Sequence, residues 1–272
     1  MTNIQKIVKY FAFLLAIIII SSVIGGIASG IFSVFNIFNI SREDNNTYVY
    51  TEEVIDNIEK LEIDLNLSDL KITKGEVFSI ETNNKNIKYE LKNNKIKLKE
   101  TKGFNINSNK VLITVPLDKI FNNVDISIGA GNLNASDFSA LKLDVEGGAG
   151  NITFDNLSVT EKLEIDGGAG NITINNSQVN NMGLDNGVGE FKFEGMLFGN
   201  NDIDMGLGNV TLNLNTNLDL YNIEIDKGLG NIIINNEKIK GDYNNKNIQN
   251  TKSIKIDGGV GNITINKVTV NS

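Results

Sequence analysis

The 272-residue chain contains no Cys, no His and no Trp, and it has a single Pro. Without Cys there are no disulfides and no thiolate metal ligands. Without His, the commonest general base and metal ligand is missing. The formal net charge is −8, which disfavours nucleic acid as a partner, because neutralising phosphates needs a basic patch. No lone acidic pair stands beside a nucleophile or base. The chain therefore reads as a non-enzyme with no catalytic residue, no cofactor and no dedicated metal ligand. Ile, Leu, Val and Phe are left to build the core.

Charge is also missing from one long stretch, Tyr10 to Ser41, which opens with the almost wholly apolar run Tyr10–Ile20. About 20 apolar residues span a bilayer as a helix. Lys6 and Lys9 precede the run, whereas Glu43 and Asp44 closely follow Arg42. The positive-inside rule then places residues 1–9 in the cytoplasm, 10–40 in the membrane and the rest outside, after a linker at 41–54. The rival reading is a cleaved signal peptide, with Ala28-Ser29-Gly30 as a small-residue cleavage site. Both readings export the remainder.

That remainder is repetitive. Gly-x-Gly recurs with its second glycine at Gly131, Gly150, Gly170, Gly189, Gly208, Gly230 and Gly261, at first close to every 20 residues. Five residues before it stand Ile126, Val145, Ile165, Leu184, Ile203, Ile225 and Ile256. Two after it stand Leu133, Ile152, Ile172, Phe191, Val210, Ile232 and Ile263. Apolar residues alternate with polar ones on both sides, so each copy is two half-buried strands joined at a glycine turn. One copy cannot bury its own apolar face, but stacked copies can. The expected fold is all-β: a stacked, β-helix-like β-solenoid over 55–272, with a less regular cap at 55–122 and Gly-x-Gly repeats at 123–272.

Several features refine this picture. Leu157 with Val159, or Val179, supplies a third short apolar element to close a coil, and no helix is expected. Leu61, Ile63, Leu70 and Ile72 form a degenerate copy, with Ser68 in place of the second glycine. Residues 87–98 read as a hairpin turning at Asn93-Asn94, and Glu237–Thr251 reads as a loop inserted in a coil. The column Asn132, Asn151, Asn171, Asn209, Asn231 and Asn262, with Glu190 as the exception, predicts an amide-to-amide ladder along the stack. The Asn-Ile-Thr sequons at Asn151, Asn171 and Asn262 are by-products of the repeat. A phosphate-cradling role for Gly-x-Gly would need a helix after each copy, where this chain has another strand.

The strand ending at Pro116, the segment Val124–Leu133 and the repeat Leu163–Ile174 resemble the bacterial putative-adhesin β-solenoid domains, which are related to the toastrack domains of cell-envelope stress proteins. That resemblance implies a β-solenoid outside the membrane and brings no catalytic residues with it. Its first functional implication is a membrane-anchored extracellular interaction scaffold of the cell envelope. The alternative is a regulatory accessory of an envelope-stress signalling system.

The candidate site is an acidic face. Positions alternating with the buried ones, six and four residues before each second glycine, hold Asp125, Asp144, Glu146, Glu164, Asp166, Asp185, Asp202, Asp204, Glu224, Asp226 and Asp257. Stacking would turn them into two files of carboxylates opposite a nearly neutral Asn/Thr face. Such a face either stays solvated or receives a cation, with an envelope protein or basic peptide ahead of a metal ion.

Overall fold

A computed structural model describes residues 48–52, 57–101 and 109–268 of the chain. The expected cytoplasmic segment and membrane anchor lie outside them. Among the described residues no helix is long and apolar enough to cross a membrane. Within the expected linker, Tyr48–Glu52 is already a strand and pairs antiparallel with Phe78–Thr82.

The repeats stack as parallel, in-register coils. Leu163 pairs with Leu143 on one side and Met182 on the other, and Ile172 pairs with Ile152 and Phe191. Strands before the glycines form a first sheet and strands after them a second. A short third side is the file Phe121, Ala140, Val159, Val179 and Leu197. The apolar alternation read from the sequence is the core. Val145, Ile152, Phe154, Ile165, Ile172, Ile174 and Leu184 are all buried, as are Leu157, Val159 and Val179 on the third side. One element departs from the expectation of no helix. Leu218–Leu220 makes a single 3-10 turn, and Leu218 plugs into the core.

The second glycines lie in one file. A Cβ built on Gly150 would meet the carbonyl of Gly131, one on Gly170 that of Gly150, and one on Gly189 that of Gly170. The degenerate first copy joins this stack, with Leu61 beside Val124, Ile63 beside Ile126 and Leu70 beside Leu133.

Stack order is not chain order at either end. The coil containing Lys252–Val260 and Ile263–Lys267 lies between the coil of Asn200–Leu207 and that of Tyr221–Leu229, although it follows both in sequence. At the front, strands Lys60–Leu65 and Ser68–Gly75 likewise lie between Phe121–Ala130 with Leu133–Ser136 and the later strands Lys95–Glu100 and Asn109–Pro116.

Two hairpins explain both inversions. Asn93-Asn94 joins Ile87–Lys92 to Lys95–Glu100, and Asn235-Asn236 joins Ile232–Ile234 to Glu237–Ile239. All four asparagines have positive φ: 51° and 58° at Asn93 and Asn94, 49° and 67° at Asn235 and Asn236. Positive φ at both central residues is the signature of a tight two-residue hairpin. An antiparallel strand delivered this way must lie against the coil it leaves, so that coil becomes the outermost one. The remaining coil fills the interior place. Phe78–Thr82 at the front and Tyr243–Asn245 at the back complete the antiparallel caps. The segment read as a loop at 237–251 therefore contains two cap strands, which cover sheet edges that would otherwise template aggregation.

The front corner is closed by a buried polar group. Glu100 accepts hydrogen bonds from the backbone N–H groups of Asn66 at 2.7 Å and Leu67 at 3.0 Å, and from Asn84 Nδ2 at 2.7 Å.

Candidate functional site

The first sheet carries every expected acidic residue on its outer surface, in two files. The file farther from the glycine corner runs Asp125, Asp144, Glu164, Gly183, Asp202, Lys255 and Glu224. The nearer file runs Ser127, Glu146, Asp166, Asp185, Asp204, Asp257 and Asp226. Inserting the last coil puts Asp257 between Asp204 and Asp226. The nearer file is thereby six consecutive carboxylates from Glu146 to Asp226, roughly 24 Å long at about 4.8 Å per rung. The same insertion breaks the farther file with a lysine.

The two files differ in compensation. In the farther one, Lys162 pairs with Glu164 at 2.5 Å, Lys246 with Glu224 at 3.2 Å, and Lys255 with Asp202 at 3.8 Å. In the nearer one, Asp257 pairs with Lys255, while Glu146, Asp166, Asp185, Asp204 and Asp226 make no ion pair among the described residues. Partial burial holds the carboxyl of Asp204 above the usual aspartate range, and repulsion from Asp202 and Asp257 adds to it. Asp144 is raised in the same way, by burial first and then by Asp125, Glu146, Asp166 and Glu164. In water, neighbouring carboxylates at this spacing repel by about 0.9 kcal/mol.

Asp202, Asp204 and Asp257 bring one oxygen each to within 4.8 Å of one another. The Lys255 ammonium is bound to two of the three. It supplies there the positive charge that a metal ion would otherwise bring.

Sequence reading missed the front of both files. Glu62 pairs in register with Asp125, and Asp64 with Ser127. Lysines neutralise both: Lys95 lies 2.6 Å from Glu62, Lys97 pairs with the same carboxylate, and Lys99 lies 2.6 Å from Asp64. Hydrogen bonds from Lys95 and Lys97 hold the Glu62 carboxyl below the usual glutamate range. A count of charge by segment carries this signal. Residues 57–120 hold 12 Lys against 9 Asp and Glu, a balance of +3, while residues 121–272 hold 10 Lys against 19, a balance of −9.

On the second sheet the asparagine column is a ladder carried mainly by backbone N–H groups, with one amide-to-amide bond, from Asn231 Nδ2 to Asn262 Oδ1 at 3.1 Å. Each side-chain oxygen accepts the backbone N–H of the residue on the next rung: Asn132 from Asn151 at 3.0 Å, Asn151 from Asn171 at 2.9 Å, and Asn171 from Glu190 at 2.9 Å. The glycine turn leaves that N–H without a strand partner, and the side chain one rung away satisfies it. Asp69 starts the ladder by accepting from Asn132. Amide-to-amide bonding also occurs outside the column, where Asn176 Nδ2 donates to Asn156 Oδ1 at 2.6 Å and Asn266 Nδ2 to Asn213 Oδ1 at 3.1 Å. Beside the start of the ladder a groove of about 490 Å³ opens, lined by Asp69, Lys71, Lys110, Asn134 and Thr153 among others.

The family model described as Toastrack DUF4097 matches residues 58–269. No curated protein matches the chain. Among solved structures, a putative cell adhesion protein from Clostridium sporogenes is similar at 17% identity, covering 82% of this chain and 99% of that one, with a TM-score of 0.37. A putative adhesin from Bacteroides fragilis is similar at 16% identity, covering 82% of this chain and 98% of that one, with a TM-score of 0.35.

Proposed function

We propose, from the premise that this chain belongs to the Toastrack DUF4097 family, that it is a membrane-anchored, non-enzymatic interaction scaffold displayed outside the cell. Residues 10–40 are the anchor, residues 1–9 stay in the cytoplasm, and the solenoid faces outward. The first sheet receives a cationic partner, an envelope protein or a basic peptide. The observation that carries this reading is the unpaired run of carboxylates in the nearer file. Five of its six members make no ion pair among the described residues, and a rigid backbone holds them in line. Fixed, aligned charge of one sign attracts and orients a partner of the other sign, most strongly at low salt.

Replacing Asp166, Asp185 and Asp204 together by Asn keeps the shape and removes three adjacent charges. Binding of an oligolysine peptide to the purified full chain should fall by about tenfold or more. Unchanged binding, or none in the parent at low salt, would refute the cation platform. Calcium binding measured alongside separates a metal from a peptide. For the topology, protease added to intact protoplasts should destroy the solenoid, and a protected solenoid would overturn the orientation.

A further inference from the structure

The groove on the second sheet sets hydrogen-bond donors from Lys71, Lys110, Asn134, Asn151 and Thr153 around an aliphatic floor of Leu70, Val111 and Leu112. Asn151 spends its side-chain oxygen on the Asn171 N–H, which leaves its Nδ2 without a partner among the described residues. Asn134 and Thr153, cross-strand partners in register, likewise have free side chains there. Lys71 is the in-register neighbour of Asn134, and Lys110 is that of Asp69. Neither lysine makes an ion pair among the described residues. The main chain of Lys110 is pinned from both sides, its N–H by Asn83 Oδ1 and its carbonyl by Thr82 Oγ1. The one carboxylate in the groove, Asp69, is already engaged: its Oδ1 accepts both the backbone N–H and the Nδ2 of Asn132.

Two ammonium groups, two amides and a hydroxyl therefore line the groove beside a single carboxylate, which leaves one positive charge in excess. The surrounding charge agrees. This groove belongs to the end of the stack whose segment carries +3, in a chain of net charge −8. An anion approaching the protein is repelled by the first sheet and steered to this end. The volume exceeds that of a single phosphate and suits a few linked units. We infer that the groove framed by Lys71 and Lys110 binds an anionic sugar or polyol polymer through its phosphate or carboxylate groups. The site is separate from the acidic sheet, so the scaffold holds a cationic partner on one face and an anionic polymer on another.

The test uses the purified full chain with three probes: a short poly(glycerol phosphate), an oligogalacturonate and neutral dextran. At least one anionic probe should bind, with affinity falling as salt is raised, and dextran should not. The anionic probe that binds more tightly identifies phosphate or carboxylate as the group recognised. Lys71→Gln with Lys110→Gln should weaken binding by about tenfold or more, and Asn134→Ala should weaken it less. The triple Asp→Asn variant of the acidic sheet should bind the anionic probe at least as well as the parent, which keeps the outcome independent of the cation platform. Circular dichroism of the lysine variant should match the parent, because both side chains are exposed. Equal binding by the lysine variant, binding of dextran as tight as that of the anionic probes, or tighter binding of single-stranded DNA would each overturn the proposal.

Discussion

Replacing Gly170 by Ala tests the stacked corner in the middle of the glycine file. Gly170 has φ +155°, a conformation open essentially to glycine alone, at a cost of about 1–3 kcal/mol for other residues. A Cβ there would lie 1.9 Å from the carbonyl oxygen of Gly150 on the adjacent rung. That oxygen belongs to a backbone bonded on both sides and cannot swing away, so overpacking adds about 1–3 kcal/mol more. The expected loss is about 2–6 kcal/mol, a large share of the 5–15 kcal/mol typical of a folded domain. Two controls separate the causes. Gly168 has ordinary φ, but its Cβ would lie 2.2 Å from the Gly148 carbonyl, so Gly168→Ala carries the steric cost alone. Gly241 has φ +79° with nothing within 4 Å, so Gly241→Ala carries only backbone strain, about 1–2 kcal/mol. Equilibrium urea unfolding followed by far-UV circular dichroism measures all three. If Gly170→Ala lies within about 0.5 kcal/mol of the parent, or is no worse than Gly241→Ala, the reasoning about corner geometry is wrong.

Three further outcomes are expected. Because the chain has no cysteine, Asp204→Cys with Asp257→Cys should oxidise to an intramolecular disulfide, as in-register neighbours can. Asp204→Cys with Asp226→Cys should not, and the reverse result would refute the inserted order of the last coil. Ile172→Ala should cost about 2–5 kcal/mol, because the side chain is 1% exposed between Ile152 and Phe191. A loss under about 0.5 kcal/mol in a urea titration would contradict that packing. Asp144 and Asp204 have folded-state affinities for protons above those of the unfolded chain. From these two groups, stability falls as pH rises from the usual aspartate range through the raised one, and it recovers on mild acidification. Glu62 acts oppositely, since its contribution is lost as pH falls through its lowered value. Thermal melts of Asp144→Asn/Asp204→Asn should show a higher midpoint at neutral pH and a smaller gain on mild acidification. An unchanged pH slope would sink the repulsion argument.

Most of the solenoid was legible in the sequence, because its determinants are local and periodic. Alternation of apolar residues names the buried face of each strand, as at Leu163, Ile165, Ile172 and Ile174. Glycine pairs mark the corners, and in-register stacking then forces like residues into files. The acidic face followed from that alternation without coordinates. The order of the coils did not follow. The segments 221–234 and 252–265 have nearly the same pattern, so either fits beside Asn200–Leu214 as far as local physics is concerned. The choice falls to the Asn235-Asn236 hairpin, which ties an antiparallel cap to the earlier coil and so drives it to the edge. Asn93-Asn94 does the same at the front. The direction of the asparagine ladder was equally hidden. Which atom meets a side-chain oxygen depends on where the neighbouring rung places its unpaired N–H, and only the assembled corner decides that. The donor-rich groove is a consequence of the same fact. Strands distant in sequence bring Lys71, Lys110, Asn134 and Thr153 together, and no local pattern announces it.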